Sequence, residues 1–215
     1  MVDCSSRNCG ESAVINVTLP YCKSHFINYF ESKVAATIKK YRLVSKKDKI
    51  IVASSGGKDS TTVLYLLNKW FGNVTALAID EGIPGYRNVT LDDLRGFCAR
   101  NNIPLKVVSY KEVFGFSLTE ALSKVNVLPC NICGTLRRYL LNTSARGYTR
   151  IATGHNLDDE AQSVMMNIFK GSLELAARLG PLTGIVEDSG FVPRVKPLYF
   201  CHEKEVAAYA FLQNF

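Results

Sequence analysis

The chain has 215 residues, of which 47% are hydrophobic, 10% aromatic and 21% charged; this excludes wholesale disorder and leaves room for one domain plus a small module. No apolar run approaches the roughly 20 residues that span a bilayer, and the N-terminal residues lack the apolar core of a secretory signal, so a cytoplasmic protein without membrane attachment is expected. Lys plus Arg number 26 against 19 Asp plus Glu, a net charge of +7, which favours a polyanionic partner, nucleic acid before membrane, although many soluble proteins are mildly basic.

Residues 1–26 stand apart in composition. They carry three of the seven cysteines, and an odd cysteine count in a reducing compartment reads as metal or sulfur chemistry rather than disulfides. Cys4, Cys9, Cys22 and His25 are separated by four, twelve and two residues. Three thiolates and one imidazole form a tetrahedral set for structural zinc, which supplies folding energy to a segment too short for its own core. The plainer alternative is four unrelated residues in a loose terminus. A helix is expected from about Lys23 to Leu43, with Phe26, Phe30, Val34 and Ile38 on one apolar face. Its other side and the following turn are basic through Lys33, Lys39, Lys40, Arg42, Lys46, Lys47 and Lys49, so residues 27–47 read as a basic linker helix.

Residues 48–215 form the main domain. Ile50–Ala53 reads as a buried strand, followed by a Gly-rich turn and a helix over Thr61–Phe71. Val74–Ile79 is a second strand, Asn88–Asn102 a helix and Leu105–Val108 a strand. Beyond a less legible stretch, Thr135–Ala145 reads as a helix, Arg150–Thr153 as a strand and Asp158–Phe169 as a helix, whose Met165 and Met166 are expected in the core. Strands alternating with helices of this length predict an α/β fold, a Rossmann-like parallel sheet with helices on both faces.

The sharpest local signal is Ser54-Ser55-Gly56-Gly57-Lys58-Asp59-Ser60, between a strand and a helix. The glycines let the backbone turn tightly and approach a ligand, and the helix N-terminus offers free N–H groups that suit phosphate. It is not a Walker A loop, which requires four residues between its first Gly and Gly-Lys. An ordinary strand-to-helix turn is the alternative. Cys130 and Cys133 form a Cys-x-x-Cys before Arg137 and Arg138; by residue type it is a redox dithiol, half a zinc site, part of an iron–sulfur cluster, or two buried thiols in a turn. Gly154-His155 follows a strand, and Asp158-Asp159-Glu160 opens the next helix, where carboxylates suit the helix dipole or a hard cation beside phosphates. His155 is equally readable as a structural turn residue.

Together these stretches resemble the PP-loop family of N-type ATP pyrophosphatases, which cleave ATP to AMP and pyrophosphate while adenylating a carbonyl oxygen. Ser55-Gly56-Gly57-Lys58-Asp59-Ser60 is similar to the family's loop, and Ala78-Ile79-Asp80-Glu81-Gly82-Ile83-Pro84-Gly85-Tyr86-Arg87 to its second-strand loop. Cys130-Asn131-Ile132-Cys133-Gly134 with Arg137-Arg138 resembles its cysteine motif. Thr153-Gly154-His155-Asn156-Leu157-Asp158-Asp159-Glu160-Ala161 resembles its fourth-strand motif. With the N-terminal cysteines, the chain is similar to the tRNA 2-thiouridine synthetase branch, the archaeal and eukaryotic wobble-uridine and bacterial ribothymidine thiolation enzymes. That branch usually places two residues between its first cysteines, whereas four stand here.

The resemblance implies ATP bound by Ala53, Ser54, Ser55, Gly56, Gly57, Lys58, Asp59, Ser60, Ile79, Asp80, Gly154 and His155, with Mg2+. It implies Zn2+ on Cys4, Cys9, Cys22 and His25, a 4Fe–4S cluster on Cys130 and Cys133, and catalytic roles for Cys130, Cys133, Asp59, Asp159 and Arg137. The family's third cluster ligand lies downstream of Glu203-Lys204-Glu205, a position that neither Cys98 nor Cys201 matches, so the chain is expected to be part of a longer protein, the alternative being a truncated member of the family. The implied reaction is adenylation of the C2 carbonyl of a tRNA uridine, at the wobble position in preference to the T-loop, then sulfur transfer. The sulfur donor is free sulfide or a ubiquitin-like carrier with a thiocarboxylate terminus, and the implied assembly is a homodimer. Two rivals remain at this level: a PP-loop ligase with a nitrogen nucleophile, which needs neither Cys130 nor Cys133, and a non-catalytic tRNA-binding partner.

Overall fold

The computed structural model describes residues 2–85, 87–124, 128–184 and 191–215; Tyr86, part of the second-strand motif, lies outside them. The chain starts with a small hairpin, β1 (Ile15–Asn16) and β2 (Pro20–Tyr21), followed by helix α1 (Lys23–Tyr41). The main sheet then alternates with helices: β3 (Ile50–Ala53), α2 (Lys58–Phe71), β4 (Val74–Asp80), α3 (Arg87–Arg100) and β5 (Leu105–Ser109). Two short helices, α4 (Tyr110–Phe114) and α5 (Leu118–Leu122), precede α6 (Pro129–Ser144) and β6 (Arg150–Ala152). The chain continues through α7 (Leu157–Phe169), α8 (Leu173–Ala176), β7 (Leu182–Thr183), β8 (Arg194–Val195) and α9 (Glu203–Leu212).

Among the described residues the sheet has six strands in the order β5-β4-β3-β6-β8-β7. All neighbours are parallel except β7 with β8. Side-chain alternation along the central strands sends residues to opposite faces. Ile50 and Val52 join a core with Phe26, Phe30, Leu64, Leu94 and Tyr209, from α1, α2, α3 and α9. Ile51 joins a second core with Tyr110, Leu118 and Leu140, from α4, α5 and α6. The expected α/β architecture with helices on both faces is therefore present.

This strand order has one topological consequence. The chain leaves β3 towards β4 and β5, then returns to β6 on the other side of β3. The carboxyl ends of β3 and β6 thus open a crevice where the order reverses, which is where open α/β sheets bind ligands.

Several local expectations need correction. α6 begins at Pro129, six residues before the expected start at Thr135, because proline suits the first helical position. Cys130 and Cys133 therefore lie on α6, not ahead of it. Met165 and Met166 are about half exposed, at 49% and 52%. Among the described residues α7 buries only Glu160, so its apolar side faces away from the sheet rather than into the core. Lys33 is not part of a free basic face, because it is paired with Glu205.

That pairing ties the N-terminal segment to the main domain. Glu205 on α9 is fully buried and accepts bonds from Thr18 at 3.1 Å, Tyr29 at 2.6 Å and Lys33 at 2.9 and 2.7 Å. It also accepts from the His202 backbone N–H at 2.8 Å. Beside it, Phe30 of α1 stacks on Tyr209 with ring centroids 4.5 Å apart. Burial opposes ionisation of Glu205, but the bonds from Lys33, Tyr29 and the His202 backbone hold its carboxyl below the usual range. Such a group contributes stability that is complete above its unfolded value, about pH 4.3, and that disappears as pH falls through its lower folded value. Glu205→Ala leaves Lys33 without its buried counter-charge. It is expected to cost about 3 kcal/mol in urea unfolding at pH 7, with the deficit against wild type shrinking as Glu205 protonates on acidification. A deficit independent of pH would contradict the ionic account.

Candidate active site and cysteine centres

The loop after β3 is built by its own side chains. Gly56 turns with φ at +90°, and a Cβ there would lie 2.6 Å from the Thr90 carbonyl oxygen, so only glycine fits. The Ser55 backbone N–H donates to Ser60 Oγ at 3.1 Å, and the Gly57 N–H donates to Ser55 Oγ at 3.3 Å. Ser60 Oγ in turn donates to the Gly57 carbonyl at 3.1 Å. α2 starts at once, with Gly57 as its N-cap and no side chain capping it. Its first N–H groups therefore face the crevice, the arrangement that receives a phosphate.

The loop after β6 presses against this turn. A Cβ on Gly154 would lie 2.7 Å from the Ser60 backbone nitrogen and 2.9 Å from the Asp59 carbonyl carbon. Asn156, nearly fully buried, donates to Asp59 Oδ1 at 3.3 Å. Its own Oδ1 accepts from the Asp158 and Asp159 backbone N–H groups at 2.9 and 3.1 Å, while Asp159 Oδ2 accepts from the Asn156 N–H at 3.0 Å. Asp159 is thus part of a capping box, and the same box carries Asn156 across to Asp59. Asp59 and Asp159 are joined through one asparagine, a link absent from the expectations although Asn156 sits in the quoted motif.

Lys58 lies 3.1 Å from Asp59 and 3.0 Å from Glu203. Burial works against its charge, but the two carboxylates keep its pKa above the ordinary value. Ile79 and Asp80 end β4 as expected. The Ile79 carbonyl accepts from Arg87, and the Asp80 carboxylate accepts from the Gly82 N–H at 2.9 Å. The His155 ring bonds Thr153 Oγ1 at 2.9 Å. Burial and the nearby Lys196 lower its pKa, so the ring is neutral at pH 7. Ala53 and Ser54 complete the strand exit, with Ser54 buried.

The second cysteine pair joins this site through charged side chains. Cys130 is exposed and Cys133 half-buried on the first turns of α6. Arg137, one turn further, donates to Cys133 Sγ at 3.3 Å and to Glu81 Oε1 at 2.8 Å. Glu81 Oε2 lies 3.2 Å from Arg87 Nε, and Arg87 donates to the Ser55 carbonyl of the Gly-rich loop at 2.7 Å. Glu81 and Arg87 had no assigned role in the sequence reading. Their signal is membership of the quoted second-strand motif, Glu81 directly after β4 and Arg87 at the start of α3. Cys98 and Cys201 are buried in the opposite core. Cys133 packs against the core on the other face of the sheet, so neither residue stands beside Cys130 and Cys133; burial also pushes the Cys201 thiol up to about 12.

The N-terminal set is assembled. The ligand atoms of Cys4, Cys9, Cys22 and His25 all lie within 4.8 Å of one another. Cys22 Sγ and Cys4 Sγ are 3.1 and 3.5 Å from His25 Nδ1, and Cys9 Sγ is 3.9 Å from Cys22 Sγ. A tetrahedral ion with sulfur ligands at about 2.3 Å requires separations of this order. Burial opposes the Cys4 thiolate, but bonds from the Cys22 and Ser6 backbone and from the neighbouring thiols bring its pKa down to about 6. These four residues could hold a metal ion.

The contact at Gly154 gives a direct test of the crevice. Gly154→Ala is expected to retain a native circular dichroism spectrum and to weaken ATP binding at least tenfold by calorimetry. Unaltered affinity would separate the β6 loop from the nucleotide site.

Comparison with known proteins follows the same residues. Residues 27–215 match the PP-loop domain family. The chain is 40% identical over 207 residues to the tRNA-5-methyluridine(54) 2-sulfurtransferase of Pyrococcus horikoshii, covering 94% of this chain and 66% of that protein. It is 39% identical over 204 residues to cytoplasmic tRNA 2-thiolation protein 1 of Chlamydomonas reinhardtii, covering 90% and 56%. The chain thus spans 56 to 66% of the length of these two relatives. Among solved structures, the U34-tRNA thiolase NcsA from Methanococcus maripaludis, determined with its 4Fe–4S cluster, superposes with a TM-score of 0.83 at 35% identity, over 100% of this chain and 73% of that one. With its glycine-built loop at the switch point of a parallel sheet, the chain belongs to the PP-loop family.

Proposed function

We propose that the protein is a tRNA-uridine 2-sulfurtransferase that adenylates the C2 carbonyl of uridine, at the wobble position, and replaces its oxygen with sulfur. The observation that carries this reading is the side-chain chain from Ser55 through Arg87, Glu81 and Arg137 to Cys133. A ligase with a nitrogen nucleophile has no use for a cysteine pair wired to its nucleotide loop. A non-catalytic binding module has no use for the loop. The thiolation names of the relatives support the same choice.

ATP lies over residues 55–60, its phosphates against the free N–H groups at the start of α2 and beside Lys58. Asp59 and Asp159, held in common by Asn156, are the carboxylates suited to Mg2+, which when bound neutralises phosphate charge. The uridine O2 attacks the α-phosphorus, forming an O–P bond as the bond to pyrophosphate breaks. Lys58 and the loop amides stabilise the departing charge. Hydrosulfide, supplied free or by hydrolysis of a carrier's thiocarboxylate to its carboxylate, then adds at C2 and expels AMP. Cys130 and Cys133 offer two thiolates for a 4Fe–4S cluster, which when bound supplies an open iron to hold that sulfur. Arg137 provides positive charge beside Cys133. The target base must leave its stack to reach the crevice, at about a few kcal/mol and less in a loop.

Zn2+ on Cys4, Cys9, Cys22 and His25 has a structural role in this reading, since a closed set of four ligands leaves no open position. It fixes the start of α1, whose exposed Lys39 and Lys40 continue into exposed Lys46, Lys47 and Lys49. These lysines precede β3, at the amino-terminal end of the strand and so away from the loop at its carboxyl end, and suit the tRNA backbone at a distance from the reacting base. The homodimer has a surface to bury in the exposed apolar residues of α7 and α8, including Phe169 and Leu173. No helix among the described residues is long and apolar enough to cross a membrane, which accords with a cytoplasmic tRNA enzyme.

The test is mass spectrometry of tRNA nucleosides from cells lacking the gene. Loss of 2-thiouridine derivatives at the wobble position is expected. Loss of a thiolated T-loop nucleoside would move the target, and an unchanged thionucleoside profile would refute sulfur transfer.

A further inference from the structure

We infer that Glu81 is a positioning residue that couples occupancy of the nucleotide loop to the setting of Cys133; this rests on the sulfur-transfer reading above. Glu81 and Arg87 are each 5% exposed. One buried carboxylate stands between two guanidinium groups, Arg137 on the cysteine side and Arg87 on the loop side. Buried charges are stable only when paired, so Arg87, buried like Glu81, cannot leave it without leaving a charge uncompensated, while Arg137, whose side chain is half exposed, reaches in to the other carboxylate oxygen. Arg87 Nε lies near Glu81 but, among the described residues, has no well-aligned hydrogen-bond acceptor. Its position is set by its other two nitrogens, which donate to the Ser55 and Ile79 carbonyls.

The frame around Glu81 is stiff. Its carbonyl accepts from the Leu118 N–H at 2.8 Å. The next residue, Gly82, has φ at +70°, and a Cβ there would fall 2.8 Å from Ser117 Cβ. On the loop side, α3 touches the nucleotide turn twice, through Arg87 on the Ser55 carbonyl and Thr90 against Gly56. A shift of Ser55 or Gly56 as phosphates fill the loop must therefore move the first turn of α3. Through Glu81 the shift reaches Arg137, whose same terminal nitrogen contacts Cys133 Sγ. Sulfur delivery is then registered to the presence of ATP.

The test uses the full chain under anaerobic conditions before cluster loading. Alkylation of Cys133 by iodoacetamide is followed by peptide mass spectrometry, with and without a saturating non-hydrolysable ATP analogue. Wild type is expected to change its Cys133 alkylation rate about threefold to tenfold on nucleotide binding, a common size for coupling between two sites. Glu81→Gln is expected to keep its ATP dissociation constant within about threefold and to lose that change. Should Glu81→Gln fail to fold, Arg87→Lys keeps the charge but cannot reach two carbonyls and the carboxylate together, and it is expected to lose the change as well. Simple shielding of Cys133 by bound nucleotide would survive in Glu81→Gln, and a nucleotide effect equal to wild type would overturn the inference. Absence of any nucleotide effect in a wild-type chain that binds ATP would also overturn it, leaving adenylation untouched. A wild-type chain that binds no ATP would refute the proposed function itself.

Discussion

Two backbones meet where there is no room for a side chain, and the site depends on that contact. Gly154, leaving β6, lies against the Asp59–Ser60 peptide at the start of α2, closer than any Cβ allows. The close approach joins the two halves of the sheet at its switch point. It lets Asn156 reach Asp59, and it sets the α7 carboxylates beside the α2 N-terminus. Catalysis by electrostatic stabilisation needs groups that do not reorganise during the reaction. A glycine contact backed by a buried asparagine provides that rigidity at the nucleotide end.

The cysteine end is held differently. Cys130 and Cys133 sit on the first turns of α6, where Arg137 of the same helix contacts Cys133 and pairs with Glu81 of the β4–α3 connection. Glu81 and Arg87 bridge the two ends with side-chain contacts, Arg87 to the Ser55 carbonyl and Glu81 to both Arg87 and Arg137. The N-terminal segment has a third kind of anchor. Its four ligand atoms converge by themselves, while Thr18, Tyr29 and Lys33 fasten it to Glu205 at the start of α9. Two residues earlier on the same helix, Glu203 reaches Lys58. One helix start therefore touches both the N-terminal segment and the Gly-rich loop.

Much of this was legible because the signals were local. Ile50–Ala53 is short, mostly β-branched and followed within three residues by Gly56-Gly57, and it is a central strand buried on both faces. The period of four in Phe26, Phe30, Val34 and Ile38 marked the face that packs on the sheet. The spacing of Cys4, Cys9, Cys22 and His25 reported a cluster because the hairpin that closes it lies between them. Non-local features left no such trace. β7 and β8 have two residues each, too few for periodicity, and they exist through pairing, β8 with β6 and β7 with β8. Lys33 reads as an exposed cation until α9, some 170 positions later, supplies Glu205 at 2.7 Å. Met165 and Met166 show helical spacing, but spacing alone does not say whether a helix face has a neighbour. Glu81 and Arg87 carry no distinctive spacing; their importance comes from lying between two sites that only the fold brings together.

The central claim is that adenylation and sulfur delivery happen at one connected site on one tRNA base. It is tested most directly by following label from α-32P ATP and thiouridine together, in the full chain with its cluster reconstituted and sulfide supplied. Wild type should release one AMP for each 2-thiouridine formed. Cys133→Ala should leave labelled AMP on the tRNA as the adenylated base and form no thiouridine. Thiouridine formed at the wild-type rate without Cys133, or no label reaching tRNA in either protein, would contradict the account.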